Sequence, residues 1–263
     1  MRSGSRRAGW FLVAGQELRD LWIGGRGLPL TFAFSVLVSV ITYLGATNEA
    51  VNFLEQREAV NLTLQVAVAV GALLALLASA DSISGERERG TLESLLLTPV
   101  PRRQLVGGKL IAALSLWFVA LIVSVPFVWF LGRDVGAVDD ALATGLAVGT
   151  LVALALTAFG VVVSSLAASN RLSLSLSLFV LLATFAPTLL PGGAKQGWAG
   201  ELLQRVNPMT AAEHYMRNLV INQYDWTREL DWLLAPGIAA VGLTFVAILV
   251  VPRFVTLRGG TPG

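Results

Sequence analysis

Residues 141–170 read ALATGLAVGTLVALALTAFGVVVSSLAASN, and these 30 consecutive residues include no Asp, Glu, Lys or Arg. A helix of about 20 apolar residues crosses the hydrocarbon core of a bilayer, so this stretch is long enough to span a membrane. Lipid offers the backbone no hydrogen-bond partners, which restricts a span to a helix or a closed barrel. Barrel strands are about half as long and alternate in polarity. The stretch therefore predicts a transmembrane helix.

Five other windows lack charged residues in the same way, and each has at least 21 residues. They are residues 27–48, 59–80, 110–132, 172–194 and 232–252. The alternation of Leu and Ser from Leu172 to Leu178 is typical of a strand, but the length of its window favours a helix. We predict an all-α integral membrane protein with six transmembrane helices. The spans cover about residues 28–47, 60–80, 109–131, 141–168, 172–191 and 233–252 of a single domain, residues 1–263.

The composition excludes several classes of function. Charged residues make up 14% of the chain, against about 25% in soluble domains, which argues against a soluble enzyme. The absence of cysteine excludes disulfides and thiolate chemistry, and the single histidine, His214, leaves little material for a zinc site. A net charge of +2 is too small to indicate nucleic acid as a partner. No glycine-rich phosphate-binding loop and no H-E-x-x-H or G-x-S-x-G motif occurs, so we expect no catalytic residue, bound cofactor or metal in this chain.

The distribution of basic residues predicts the orientation. Of the 19 Lys and Arg residues, 13 flank one side of the predicted spans and six flank the other. The 13 are Arg2, Arg6, Arg7, Arg19, Arg26, Arg87, Arg89, Arg102, Arg103, Lys109, Arg171, Arg253 and Arg258; the six are Arg57, Arg133, Lys195, Arg205, Arg217 and Arg228. We therefore predict a multi-pass protein of the inner (plasma) membrane with both termini in the cytoplasm.

Three segments outside the spans have a predicted structure. Residues 10–23 place apolar side chains on one helical face, which predicts an interfacial helix on the inner leaflet. In the cytoplasmic loop 81–106, a short helix with Leu92 on its apolar face should end before Pro99, and a second helix can begin at Pro101. The external segment 192–231 should form short helices, one of them beginning at Asn207-Pro208. Its apolar face comprises Met209, Ala212, Met216, Leu219 and Val220.

Polar residues within the spans are few, and none in the middle of a span is ionisable. The candidates for lining a pathway are Gln65, Thr157, Ser164, Ser165 and Thr184. Hydroxyl and amide groups at this depth could equally bridge helices. An ion-coupled carrier usually needs a buried charge, so the pattern gives that class little support.

The loop contains a block that resembles a known family. Residues 84–99 read SGERERGTLESLLLTP and residues 102–109 read RRQLVGGK. A Glu-rich stretch, Gly-Thr, a Leu-rich run, Thr-Pro and Gly-Lys in this order after the second span resemble the permease subunit of ABC-2 type ABC transporters. The six spans, the interfacial helix and the external helices extend the resemblance over nearly the whole chain. Without the resemblance, ordinary solvated charges on a loop would explain the block equally well.

The resemblance implies a function and partners. The loop would hold a coupling helix that docks on a separate cytoplasmic ATPase, which would bind ATP and Mg²⁺. The implied contact residues are Glu86, Arg87, Glu88, Arg89, Gly90, Thr91, Leu92, Glu93, Ser94 and Leu95, with a second contact at Ser169, Asn170 and Arg171. Two permeases, identical or paralogous, would assemble with two ATPase subunits in the membrane lipid. The resemblance implies export, and the uncharged spans favour an apolar or amphipathic substrate. The alternatives are an intramembrane lipid-modifying enzyme or an ion-coupled carrier.

Overall fold

The computed structural model describes residues 5–24, 27–46, 53–98, 100–189 and 197–254. Within these ranges the chain forms helices and no strand. The helices are α1 Ser5–Trp22, α2 Gly27–Ala46, α3 Phe53–Asp81, α4 Ser84–Glu88, α5 Leu92–Leu96, α6 Arg102–Gly132, α7 Val138–Thr144, α8 Thr150–Leu166, α9 Asn170–Phe185, α10 Trp198–Val206, α11 Pro208–Val220, α12 Leu234–Leu249 and α13 Val251–Phe254. Short 3₁₀ turns lie at Arg133–Val135, Ala186–Leu189 and Leu230–Leu233, and a π-helical turn joins α7 to α8 at Gly145–Gly149.

Among the described residues, six helical segments are long and apolar enough to cross a membrane, which confirms the predicted number. They are Gly27–Leu44, Gln56–Glu88, Arg102–Val135, Val138–Leu166, Asn170–Thr188 and Leu230–Phe254. Helices α3 and α6 begin seven residues before their predicted spans, because a helix can continue through charged residues once it leaves the lipid. Residues 47 and 190–191 of the predicted spans, residues 192–196 of the external segment and Pro99 lie outside the described residues.

Three helices form the centre of the bundle. The apolar windows of the spans built on α3, α6 and α8 are 50%, 44% and 61% buried, whereas those on α2, α9 and α12 are only 22% buried. The three peripheral helices expose large apolar side chains such as Phe32, Phe179 and Ile238. In water this exposure would be unfavourable, but lipid accepts apolar surface.

Trp117 of α6 occupies the junction of the three central helices. Its side chain is fully buried, and its indole Nε1–H donates to Thr150 Oγ1 at 3.0 Å. A Cβ atom added at Gly71 of α3 or at Gly149 of the π turn would lie 2.9 or 2.7 Å from the indole ring. The two glycines therefore provide the space that the large ring needs, and the close contact fixes the spacing of the helices.

Helix α1 lies against α6 at the end of the bundle that also carries α4, α5 and the turn between α8 and α9; we call this the α1 end. Trp22 Nε1–H donates to Ser115 Oγ at 3.0 Å, and Val13 lies so close to Gly108 that a Cβ there would be 2.8 Å from it. The predicted interfacial helix is thus longer than residues 10–23 and is attached to the third span along one face.

Helices α10 and α11 lie at the opposite end. Asn207 caps α11 as predicted, because its Oδ1 accepts from the backbone N–H groups of Met209 and Thr210 at 2.9 and 3.3 Å. The predicted apolar face of α11 is buried against the bundle. Arg57, counted above as an external loop residue, lies instead at the start of α3 with only 4% of its surface exposed. Its guanidinium donates to Val220 O and Val135 O, each at 2.7 Å.

Candidate functional site

The loop between α3 and α6 folds into two short helices that are joined by a turn at Gly90. Gly90 has φ = +71°, in the left-handed region that glycine adopts without strain. Helix α5 ends at Leu96, and α6 begins at Arg102 with Pro101 in the capping position rather than within the first turn. The short helix α5 thus ends before Pro99, and the next helix begins one residue later than the sequence suggested.

The carboxyl end of α8 holds the start of this loop. The backbone N–H groups of Ile83 and Ser84 donate to Ser164 Oγ at 3.0 and 2.9 Å. Arg87 of α4 donates to Ala167 O at 2.7 Å and to Ser165 O at 3.1 Å. A cation that binds the last carbonyl groups of a helix also complements the helix dipole. Helix α4 is thus fixed to the fourth span by directed hydrogen bonds.

Asn170, at the start of α9, bonds the same loop from the other side. Its side-chain Nδ2–H donates to Asp81 Oδ1 at 2.6 Å, and its Oδ1 accepts from Ser84 Oγ at 2.9 Å. Its backbone N–H donates to Glu88 Oε1 at 2.7 Å. The two segments that were predicted as separate contacts for a partner, residues 86–95 and 169–171, are therefore parts of one surface.

Lys109 connects this surface to α1. Its side chain is only 3% exposed, and its ammonium group bonds Glu17 Oε1 of α1 at 2.8 Å and Glu86 Oε1 of α4. Sequence reasoning missed this cluster, because Lys109 counted only as a flanking basic residue and Glu17 was not singled out. The residues are 92 and 23 positions from Lys109 along the chain, and no local pattern indicates such a pairing.

The family of the chain follows once this loop and the six spans are considered together. A sequence model described as ABC-2 family transporter protein matches residues 12–258. The chain belongs to the ABC-2 transporter family. This ABC-2 permease is the membrane component of an ABC transporter and a multi-pass membrane protein, and such permeases associate with an ABC ATPase. No curated protein matches the permease significantly.

The ten loop residues that the resemblance implied as contacts differ in their accessibility in the permease. The exposed ones are Glu88, Arg89, Gly90, Thr91, Glu93 and Ser94. Glu86 and Arg87 are half-buried and bond the permease itself, and Leu92 is 6% exposed in an apolar cluster with Val106 and Leu110. Leu95 belongs to α5. A contact with a partner through these residues remains a prediction. The six exposed residues are the ones that a partner can reach.

The candidate pathway residues lie in different surroundings. Thr157 is fully buried and donates to Ala153 O of its own helix at 2.6 Å, and the buried Ser164 binds the loop. Thr184 borders an almost entirely apolar cavity of about 80 Å³ between α8, α9 and α12. Gln65 borders a polar cavity of about 300 Å³ at the opposite end. The structure does not bring these four residues together.

His214 borders the same polar cavity of the permease. Its ring stacks on Trp232 with the centroids 3.8 Å apart, and its Nε2 lies 3.4 Å from Glu229 Oε2 and 2.9 Å from Asn218 Nδ2. Burial lowers the pKa of His214, because the charged imidazolium would lose water contacts; Glu229 opposes the shift, and Arg205 and Arg217 add to it. The histidine therefore favours its neutral form within this cluster.

Proposed function

We propose that this permease couples ATP hydrolysis by a separate ATPase to the export of an apolar or amphipathic substrate across the inner membrane. The observation that carries the proposal is the loop from α4 to α5, which presents exposed charged residues and is attached by hydrogen bonds to the ends of two spans. ATP and Mg²⁺ would be bound by the ATPase, and this chain would receive the movement.

The attachment of the loop supports a role in transmitting force. A docking surface that moved independently of the spans could bind an ATPase without changing the spans. Here the hydrogen bonds from Ser164, Arg87 and Asn170 connect the exposed face to α8 and α9, and bonds to charged groups are the stronger ones. A displacement of Glu88, which is exposed and accepts from the backbone N–H of Asn170, would therefore displace both spans.

The polarity of the spans supports the substrate class. The hydroxyl groups of Thr157 and Ser164 are engaged within the protein and so offer little to a polar substrate. The buried cations Arg57 and Lys109 lie near the ends of their helices and already bond the permease. An apolar or amphipathic substrate needs few polar partners, which fits a bundle of this kind.

The exposed apolar faces of α2, α9 and α12 support an assembly in lipid. We infer that two permeases, either identical or paralogous, and two ATPase subunits form the working unit, with both termini in the cytoplasm. In that orientation the α1 end faces the ATPase.

The docking experiment uses residues that face away from the bundle. In Glu93→Lys/Ser94→Lys, two exposed positions of α5 become basic, and we expect the amount of ATPase that co-purifies with the tagged permease to fall at least severalfold. The control is Asp139→Lys, an exposed charge reversal at the opposite end, which should leave co-purification unchanged. Equal co-purification and equal permease-dependent ATP hydrolysis in both variants would refute the docking site.

A further inference from the structure

Among the basic residues of the α1 end whose side chains the structure describes, Lys109 is the most buried. Arg102 and Arg103, at the start of the same helix, are exposed, whereas the side chain of Lys109 is 3% exposed. Its two carboxylate partners come from two other elements, Glu17 from α1 and Glu86 from α4. One ammonium group therefore joins three helices.

Charge, rather than the packing of side chains, holds these groups together. A polar cavity of about 420 Å³ borders Glu17, Glu86 and Lys109, so the carboxylates have space to move apart. Each carboxylate side chain is 19% exposed, which places both in surroundings where Coulomb interactions are stronger than in water. Without the cation, two like charges would face each other, and the remaining interaction would be repulsive.

The bridge connects two groups of contacts. On one side, hydrogen bonds fix α4 to α8 and α9 through Ser164, Arg87 and Asn170. On the other side, α1 lies on α6, with Trp22 bonded to Ser115. Lys109 stands in α6 and reaches both α1 and α4 with the same atom.

We propose that Lys109 is a positioning residue that makes α1, α4 and the start of α6 move as one unit when the loop is displaced. This inference rests on the proposed function, since the displacement would come from the docked ATPase. Without the ion pairs of Lys109 with Glu17 and Glu86, the loop would move with α8 and α9, while α1 and α6 would be displaced less than the loop.

The test measures the distance between the loop and α1. Because the chain has no cysteine, Leu97→Cys directly after α5 and Arg19→Cys in α1 give two defined sites for spin labels. Both residues are exposed, and neither belongs to the proposed docking residues. The labelled permease is studied by double electron–electron resonance in its complex with the co-purifying ATPase, with and without ATP and vanadate. With Lys109 present we expect a narrow distance distribution that nucleotide does not shift.

Lys109→Met should broaden this distribution and let nucleotide shift it by about 1–5 Å, the size of helix shifts in switching proteins. Arg103→Met, which removes an exposed charge from the same helix, is the matched control and should behave as the parent. The exchange Glu86→Lys/Lys109→Glu, which restores opposite charges at the two positions, should narrow the distribution again. A purely structural role for the lysine side chain would not predict that recovery.

Three results would overturn the proposal. One is an unchanged distribution in Lys109→Met, with or without nucleotide; another is a Lys109→Met distribution that the exchange fails to narrow. If Lys109→Met does not fold, Glu86→Gln replaces it, and an unchanged distribution there is the third. Failure of the parent permease to retain an ATPase would contradict the proposed function instead, and the width measured on the permease alone would still test the bridge.

Discussion

Arg57 is a buried cation that donates hydrogen bonds to two backbone carbonyl groups. Its guanidinium, 4% exposed, donates to Val220 O at the end of α11 and to Val135 O in the turn after α6, at 2.7 Å each. Carbonyl groups at a helix end lack intrahelical partners and carry partial negative charge, so a cation satisfies and stabilises them. One residue at the start of α3 thereby fixes two connections at the opposite end.

Replacing Arg57 by Met should destabilise the fold. The variant loses two hydrogen bonds from a charged donor, each worth about 1.5–3 kcal/mol, and leaves Val220 O and Val135 O without that donor. We expect a decrease in the free energy of unfolding of about 3–6 kcal/mol, measured by chemical denaturation in detergent. Arg133→Met, which removes a half-exposed arginine at the same end, should change it by less than about 0.5 kcal/mol. Similar losses in both variants would contradict this role of Arg57.

His214 should make the stability of the permease dependent on pH. Its pKa in the folded chain is lowered by burial, so on acidification the unfolded chain takes up a proton at the ordinary value of 6.5 before the folded chain does. The neutral ring therefore contributes to the stability of the folded chain above pH 6.5, and this contribution is lost as the pH falls below that value. We expect the unfolding temperature to decrease between about pH 7 and pH 5, and less so in His214→Gln. An identical decrease in the variant would assign the effect to other groups.

At the scale of helices, α3 and α8 approach each other closely at Gly160. A Cβ at Gly160 of α8 would lie 2.1 Å from Ser79 Oγ, 2.9 Å from Leu76 O and 3.1 Å from Ala80 N. Two of these atoms are backbone, which cannot rotate away as a side chain can. The crossing lies close to Ser164, so the spacing of the two helices also sets the position of the loop.

Gly160→Ala should therefore force α3 and α8 apart. Overpacking of this kind costs about 1–3 kcal/mol, which exceeds the gain of up to about 1 kcal/mol that alanine brings within a helix. Gly242→Ala in α12 is the matched control, since nothing lies within 4 Å of a Cβ there, and it should be neutral or stabilising. The test compares the unfolding temperatures of both variants with that of the parent protein. A higher unfolding temperature for Gly160→Ala would contradict the prediction, because it would mean that α3 and α8 can separate without a loss of stability.

For the whole molecule, the two ends of the helical bundle differ in structure. The α1 end carries the charged loop and the Lys109 bridge, whereas the opposite end carries α10, α11 and the His214 cluster. In the sequence, 13 of the 19 basic residues flank the side of the spans that corresponds to the α1 end, and this excess favours its retention in the cytoplasm.

This orientation can be measured with single cysteines in the cysteine-free chain. Asp225→Cys is exposed at the opposite end and Arg102→Cys at the α1 end. A membrane-impermeant maleimide should label Asp225→Cys in intact cells and Arg102→Cys only after permeabilisation. The reverse pattern would place the α1 end outside and would remove the loop as a docking site for a cytoplasmic ATPase.

The sequence by itself determined the features that depend on local rules. Six uncharged windows gave six spans, because lipid accepts only long apolar helices. Asn207-Pro208 predicted the start of α11, since a capping side chain and a proline at the first position act within one turn. A short helix ending before Pro99, a second helix beginning near Pro101 and the cluster of charges from Glu86 to Glu93 were also available from the order of residues along the loop.

Only the tertiary structure decided which of those charges face outward and which bind the protein itself. Glu86 and Lys109 looked like ordinary solvated charges, yet they form a buried bridge with Glu17, 92 residues from the lysine. The sequence suggested Ser164 as a pathway residue, but its hydroxyl oxygen accepts hydrogen bonds from the loop backbone. The sequence placed Arg57 in a loop, but it is buried and donates to backbone carbonyl groups. Such pairings depend on how helices far apart in the chain meet, because the energy of a buried charge is set by partners that no local pattern encodes.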